Sequence, residues 1–369
     1  MKKESFWVLD IGNETTKVLY CQKDSSGVEV VDAKVERFDW FGVFDTREFE
    51  ITVIKKAVEK AIKQIKTFEK EKKRELILGI PANIIKARIK EEVFLRRERE
   101  KIISKEEAKT IIRTLLEENL KKVLEEFSHK SGILPEEIMV VKQKIIETKI
   151  DGYKVSRIEK LKGYEIKVKI LTIFLPRYYL DNVQKIIGGL PFEKAKIVHE
   201  IEGLMKATEK DAWALYLNIG GEITQIYLVK DGVFELSEEF MFGGRNFTLA
   251  LSSQLGLIYD EAEEMKMKYQ HHLLRPETQE RLKEIFEKEA RDWLFNFNQE
   301  VKDISLPLEF YIFGGTGMFP EIPRILKKNY PQAEIKTLSL SRLAKIKTKL
   351  DFLSHPQYMS PLLLVYARL

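Results

Sequence analysis

Two glycine turns, each breaking an apolar strand that resumes at once as another strand, constrain this chain more than any other feature. They are Asp10-Ile11-Gly12-Asn13-Glu14-Thr15-Thr16-Lys17 and Asn218-Ile219-Gly220-Gly221-Glu222-Ile223-Thr224. A strand that turns straight back on itself is a β-hairpin, whereas a strand-to-helix phosphate loop would run on into helical periodicity. A later apolar strand ends in Ile312-Phe313-Gly314-Gly315-Thr316-Gly317. One hairpin used twice, with a glycine turn after the second, predicts a duplicated α/β fold whose halves face each other. No repeat of short period competes with that reading.

Size agrees, since 369 residues exceed one simple core and two or more domains are expected. Lys and Arg number 63 against 58 Asp and Glu, and a balance of +5 does not indicate a dedicated nucleic-acid binder. Charged residues reach 33%, a density compatible with heat adaptation. The lone Cys21 excludes an intramolecular disulfide and fits a reducing cytoplasm, the expected compartment, with recruitment to the inner face of a membrane as a further expectation. No apolar run reaches the ~18 residues of a membrane span, and Met1-Lys2-Lys3-Glu4-Ser5 opens no signal peptide. The apolar end, 360–369, reads as a buried last helix rather than a membrane-touching tail.

Along the chain, 6–9 and 16–21 form the first hairpin and 28–35 a third strand. Ile54, Ala57, Val58, Ala61, Ile62 and Ile65 recur at helical spacing. The charged run 66–75 reads as a solvated helix end or loop. Ser104-Lys105-Glu106-Glu107 reads as a capping box opening one long helix. Strands at 139–150 and 164–174 follow, with 151–153 as a turn between them. The second half starts near Ala212 and carries its own hairpin and a long helix spaced by Phe286, Ala290, Trp293, Leu294, Phe297 and Val301. His129, His199, His271, His272 and His355 show no zinc spacing, and His271-His272 reads as a solvated helix end.

These turns carry the chemistry of a magnesium nucleotide, which needs a carboxylate near the metal and backbone amides around the phosphates. Asp10 supplies the carboxylate, Gly12 a close approach, Asn13 and Thr15 donors, and Lys17 a cation. In the second turn Gly220 and Gly221 keep the approach, but Asn218 brings no charge and no general base. Glu222 sits where an anion would face the last phosphate, unfavourable unless it turns away. Gly314, Gly315 and Thr316 suit a flat platform for adenine and ribose.

On these residues the chain resembles the actin-like ATPases, and within them the FtsA-type cell-division proteins and the related PilM-type pilus proteins. The resemblance runs over nearly the whole chain. Asp10 to Lys17 is similar to the first phosphate motif and Asn218 to Gly221 to the second. Gly243 and Gly244 with Thr248 resemble the second connecting segment, and Gly314 to Gly317 the adenosine motif. Glu263 and Lys266 are similar to the helix lining the ribose and adenine. Glu200 or Glu202 falls where the first connecting helix nears the cleft. The resemblance implies one half at 1–80, continued at 178–211 and 340–369, an inserted α+β subdomain at 81–177, and a second half at 212–339 with a reduced fourth subdomain.

It further implies ATP and Mg²⁺ as cofactors, with Asp10 as metal ligand and Asp10 and Glu202 as the catalytic pair. The function it implies is a cell-division scaffold in which nucleotide closes the halves to control self-association or the docking of a tubulin-like division protein. A PilM-type pilus assembly protein gripping an inner-membrane partner's tail, a nucleotide-free scaffold and a small-molecule kinase are the alternatives. Asn218 stands where the family has Asp, so weak or absent turnover is expected, and the family's membrane-targeting end is missing.

Overall fold

The computed structural model describes residues 4–38, 51–65, 75–190 and 192–369. In chain order the first part holds β1 (Glu4–Ile11), β2 (Thr15–Asp24), β3 (Gly27–Arg37), α1 (Ile51–Lys63) and β4 (Glu75–Gly79). Next come β5 (Lys86–Leu95), α2 (Lys105–Ser131), β6 (Ile138–Ile150), β7 (Tyr153–Lys154) and β8 (Glu165–Pro176). Then follow α3 (Arg177–Ile187), β9 (Lys194–Ile197), α4 (Glu200–Ala207), β10 (Trp213–Ile219), β11 (Thr224–Lys230) and β12 (Val233–Phe240). The last part comprises α5 (Gly244–Leu255), α6 (Tyr259–Gln270), α7 (Pro276–Val301), β13 (Glu309–Phe313), α8 (Glu321–Asn329), β14 (Glu334–Thr337), β15 (Ile346–Thr348) and α9 (Met359–Ala367). Of the charged run 66–75, only Glu75 lies within the described residues, where it opens β4.

Duplication is visible in the sheets. One has the order β15-β3-β2-β1-β4-β9 and the other β12-β11-β10-β13-β14. In each, three antiparallel strands form a meander, and a fourth pairs parallel to the first of them, β4 on β1 and β13 on β10. Central strands buried on both faces read as continuous apolar runs. Phe6, Trp7, Val8 and Leu9 in β1, and Ala214 to Leu217 in β10, are accordingly without solvent exposure.

The amphipathic helices α1 and α7 cover the sheets through one apolar stripe each. α1 buries Ile54, Ala57, Val58, Ala61 and Ile62. α7 buries the predicted stripe, and its Trp293 donates Nε1–H to Thr224 Oγ1 at 2.9 Å. The expected last helix is α9, whose Leu362, Leu363, Leu364 and Val365 sit in the core of the first sheet. α6 passes to α7 through 271–275 without a strand, and exposed His271 caps α6.

The segment between β4 and α3 folds into a third sheet, β5-β8-β6-β7, with α2 packed on it. Two readings change here. Ser104 does accept from the Glu107 amide at 3.1 Å, but the Glu107 carboxylate turns to buried Arg96, at 2.8 Å from Nε, instead of closing the capping box. An uncompensated buried guanidinium costs more than an open helix-end amide, so the ion pair takes the carboxylate. The turn at Asp151-Gly152, both at positive φ, folds back into the short β7, and residues 155–164 intervene before β8. β5 carries no sequence expectation, because Lys86, Arg88, Lys90, Glu91 and Glu92 mask its alternation.

Candidate functional site

A cavity of about 540 Å³ opens between the two large sheets, where both hairpin turns and the loop after β13 converge. The hairpins are built alike: Gly12 N–H donates to Thr15 O and Gly220 N–H to Ile223 O, each at 2.9 Å. The register pairs Asp10 with Lys17 and Asn218 with Gln225, so the duplicated positions can be compared directly. Where the first half carries an ion pair, Lys17 Nζ to Asp10 Oδ2 at 3.4 Å, the second carries two amides, Asn218 Nδ2 donating to Gln225 Oε1 at 3.1 Å.

Asn218 is committed to a buried polar cluster. Its Nδ2 lies 2.8 and 3.0 Å from the Glu200 carboxylate oxygens and 3.1 Å from Ser360 Oγ on α9. Tyr227 donates its hydroxyl to the same carboxylate at 2.9 Å. Burial raises the Glu200 pKa above the ordinary value of 4.5, although Ser360, Asn218 and Tyr227 oppose it. Glu202 points elsewhere. It caps α4 by accepting from His199 N–H at 3.3 Å, and it pairs with Lys142 of β6. The carboxylate that this helix presents to the cavity is therefore Glu200, because successive residues at a helix start face different sides.

The third loop carries two glycines with opposite surroundings. Gly314 has φ +91°, and a Cβ there would fall 2.4 Å from Asn218 Oδ1, so only glycine fits. A Cβ at Gly315 would meet nothing within 4 Å, which leaves an open backbone platform on the cavity wall. Thr316 ties that platform to the second hairpin, its Oγ1 donating to Gly220 O at 2.8 Å. Gly243 packs behind the same hairpin, with its missing Cβ 2.6 Å from the Gly220 and Gly221 carbonyls, and Gly244 N–H donates to Gly220 O at 2.9 Å. Lys266 reaches Gly244 O at 3.1 Å and pairs with Glu263 at 2.7 Å. Burial would raise the Glu263 pKa, but Lys266 outweighs it and holds the group below the carboxylate norm.

The structure thus gathers Asp10, Gly12, Asn13, Thr15, Lys17, Asn218, Gly220, Gly221, Gly244, Glu263, Lys266, Gly314, Gly315 and Thr316 on one cavity, with Gly243 behind it and Glu202 outside. The hairpin ladders leave out the amides of Asn13, Glu14 and Gly221 at the tips, donors a phosphate could use. Among the described residues no cluster of three His, Cys, Asp or Glu could hold a metal unaided. A magnesium ion here would depend on Asp10 together with oxygens of a bound phosphate and water.

Sequence reasoning passed over Arg245, on the first turn of α5. It pairs with Glu222 and, through Nε at 3.2 Å, with Glu14 of the opposite hairpin. Asn13 donates to Glu222 at 2.6 Å, and Tyr259 to Glu14 at 3.2 Å, so the hairpin tips are cross-braced. Glu222 does turn away from the cavity. An ion pair across the fold leaves no periodic trace in the sequence, and only the position of Arg245 at a helix start, directly after Gly243 and Gly244, hinted at it.

The whole architecture matches solved structures. A chain of a PilM–PilN type IV pilus biogenesis complex superposes over 97% of this chain and 97% of its own, with TM-score 0.72 and 14% identity. The ethanolamine utilization protein EutJ from Carboxydothermus hydrogenoformans covers 99% of this chain and 90% of its own, at TM-score 0.55 and 12% identity. A glycerol dehydratase reactivase reaches TM-score 0.50 at 10% identity, covering 99% of this chain and 100% of its own. No protein-family model and no curated protein matches in sequence. The fold is that of the actin-like ATPases.

Proposed function

We propose that this chain with an actin-like ATPase fold is a nucleotide-binding scaffold, and that it docks a partner of an assembly machine rather than turning over a small substrate. One observation carries the reading: two hairpins of identical build face a single cavity beside a glycine platform. On this reading Gly314, Gly315 and Thr316 carry the adenosine and Glu263 with Lys266 the ribose. Gly12, Asn13, Thr15, Lys17, Asn218, Gly220 and Gly221 surround the phosphates, Gly243 and Gly244 support them, and Asp10 faces Mg²⁺. A nucleotide bound with Mg²⁺ supplies a ligand that touches both halves, and its differential affinity for the closed form sets their equilibrium.

Hydrolysis is not the expected output. Asn218 cannot take a proton, and Glu200 spends its oxygens on three donors in a dry cluster. Residues 81–177 form the inserted subdomain of this proposal, between 1–80 and 178–211 of one half, with 340–369 completing it and 212–339 forming the other. Of the two partner readings the pilus-type role is favoured over cell division, because a chain from a pilus complex is matched over 97% of both chains. No helix among the described residues is long and apolar enough to cross a membrane. In this proposal the tail of an inner-membrane partner is what the chain grips.

Isothermal titration of ADP and ATP with magnesium tests the cavity: binding is expected in the wild type and is expected to vanish in Asp10→Ala/Gly315→Asp. Unchanged affinity in that double variant would sink the nucleotide site. A pull-down with the N-terminal peptide of an inner-membrane pilus protein against the C-terminal tail of a tubulin-like division protein separates the partner readings.

A further inference from the structure

We infer that Glu14, held by Arg245 and Tyr259 across the cleft, makes the cavity select a nucleoside diphosphate over a triphosphate. This inference rests on the nucleotide reading above. Its starting point is the absent side chain of Gly221, where a Cβ would lie 2.7 Å from Glu14 Cγ. Glu14 belongs to the first hairpin and Gly221 to the second, so the Glu14 stem crosses the gap between the two tips. Its carboxylate is fixed there by Arg245 Nε and Tyr259 Oη, both at 3.2 Å.

A phosphate chain laid from the Gly314–Thr316 platform toward Asp10 brings its last member to that gap. There it meets the carboxylates of Asp10 and Glu14, and the cations beside them, Lys17 and Arg245, are already paired. Releasing Arg245 to offset a third phosphate would leave Glu222 buried without its cation. The first two phosphates need neither exchange, because the tip amides and glycines serve them. Like charges a few ångström apart in a partly dry cleft cost enough to weaken binding by about tenfold or more.

The test is calorimetric titration of the full chain with ADP and with a non-hydrolysable ATP analogue, both with magnesium, in the wild type, Glu14→Gln and Glu14→Ser. Circular dichroism and the thermal midpoint check that each variant is folded. The expected result is at least about tenfold tighter ADP in the wild type, and a ratio within about threefold in both variants, gained through tighter analogue binding. A wild type that prefers the analogue, or variants that keep the wild-type ratio, overturns the role of Glu14 while leaving the nucleotide site standing. If no form binds either nucleotide, the nucleotide reading falls and the inference falls with it.

Discussion

Two single residues show how little room the cleft leaves. Replacing Gly314 by Ala forces a Cβ onto Asn218 Oδ1 at a φ of +91°, so both sterics and backbone strain oppose it. The expected loss is about 1–3 kcal/mol of stability by chemical denaturation, with weaker nucleotide binding. Glu200 gives a pH signature instead. Its folded pKa is raised above 4.5 by burial, so its contribution to stability is fully present below the unfolded value and is lost as pH rises through the folded one. Glu200→Gln should therefore flatten the decline in stability above about pH 4.5, read as thermal midpoints across pH. Asp10, Gly12 and Gly220 were legible in the sequence because local turn chemistry demands them. The choice of Glu200 over Glu202 was not, since it depends on which way a helix start faces once Lys142 of β6 has claimed one of the two.

Elements repeat the contrast. The long helices and the duplicated meander followed from apolar spacing, yet β5 stayed hidden, because its charged residues serve contacts that only the folded chain creates. Arg88 grips Glu239 of β12 with two bonds of 2.7 Å, and Lys86 adds a third at 3.0 Å. Burial would raise the Glu239 pKa, but Lys86 and Arg88 outweigh it and hold the group down at about 2. That stability is present above the ordinary carboxylate pKa of 4.5 and drains as pH falls toward 2, loosening the third sheet from the second. Glu239→Gln leaves Arg88 buried beside a weaker partner and should cost about 3 kcal/mol at neutral pH while abolishing that acid loss. α4 and α9 meet even more tightly, since a Cβ on Gly203 would lie 1.9 Å from Leu363 O. Gly203→Ala should therefore cost about 1–3 kcal/mol in denaturant unfolding by prising the last helix off. An alanine variant of wild-type stability would mean that α9 is not seated there.

At the scale of the molecule, the two halves are not separate bodies hinged at a thread. The core beneath the first sheet continues through Tyr216, Tyr227, Phe234 and Phe313 onto one face of the second, while the other face of that sheet has its own core around Phe247, Phe286 and Trp293. Duplication was readable in advance because each hairpin is local. The shared core was not, because strands buried on both faces look alike whichever neighbour covers them. From this geometry the response to ligand follows. A nucleotide at hundredfold excess over its Kd stabilises the folded form by about 2.7 kcal/mol, and here its contacts would come from both halves. Heat should therefore unfold both halves in transitions that shift upward together when ADP and magnesium are added, by a few degrees in a chain of this size. Differential scanning calorimetry reads this directly. If two transitions appear and ADP moves only one of them, the ligand is held by a single half, and a cleft closed from both sides is the wrong description.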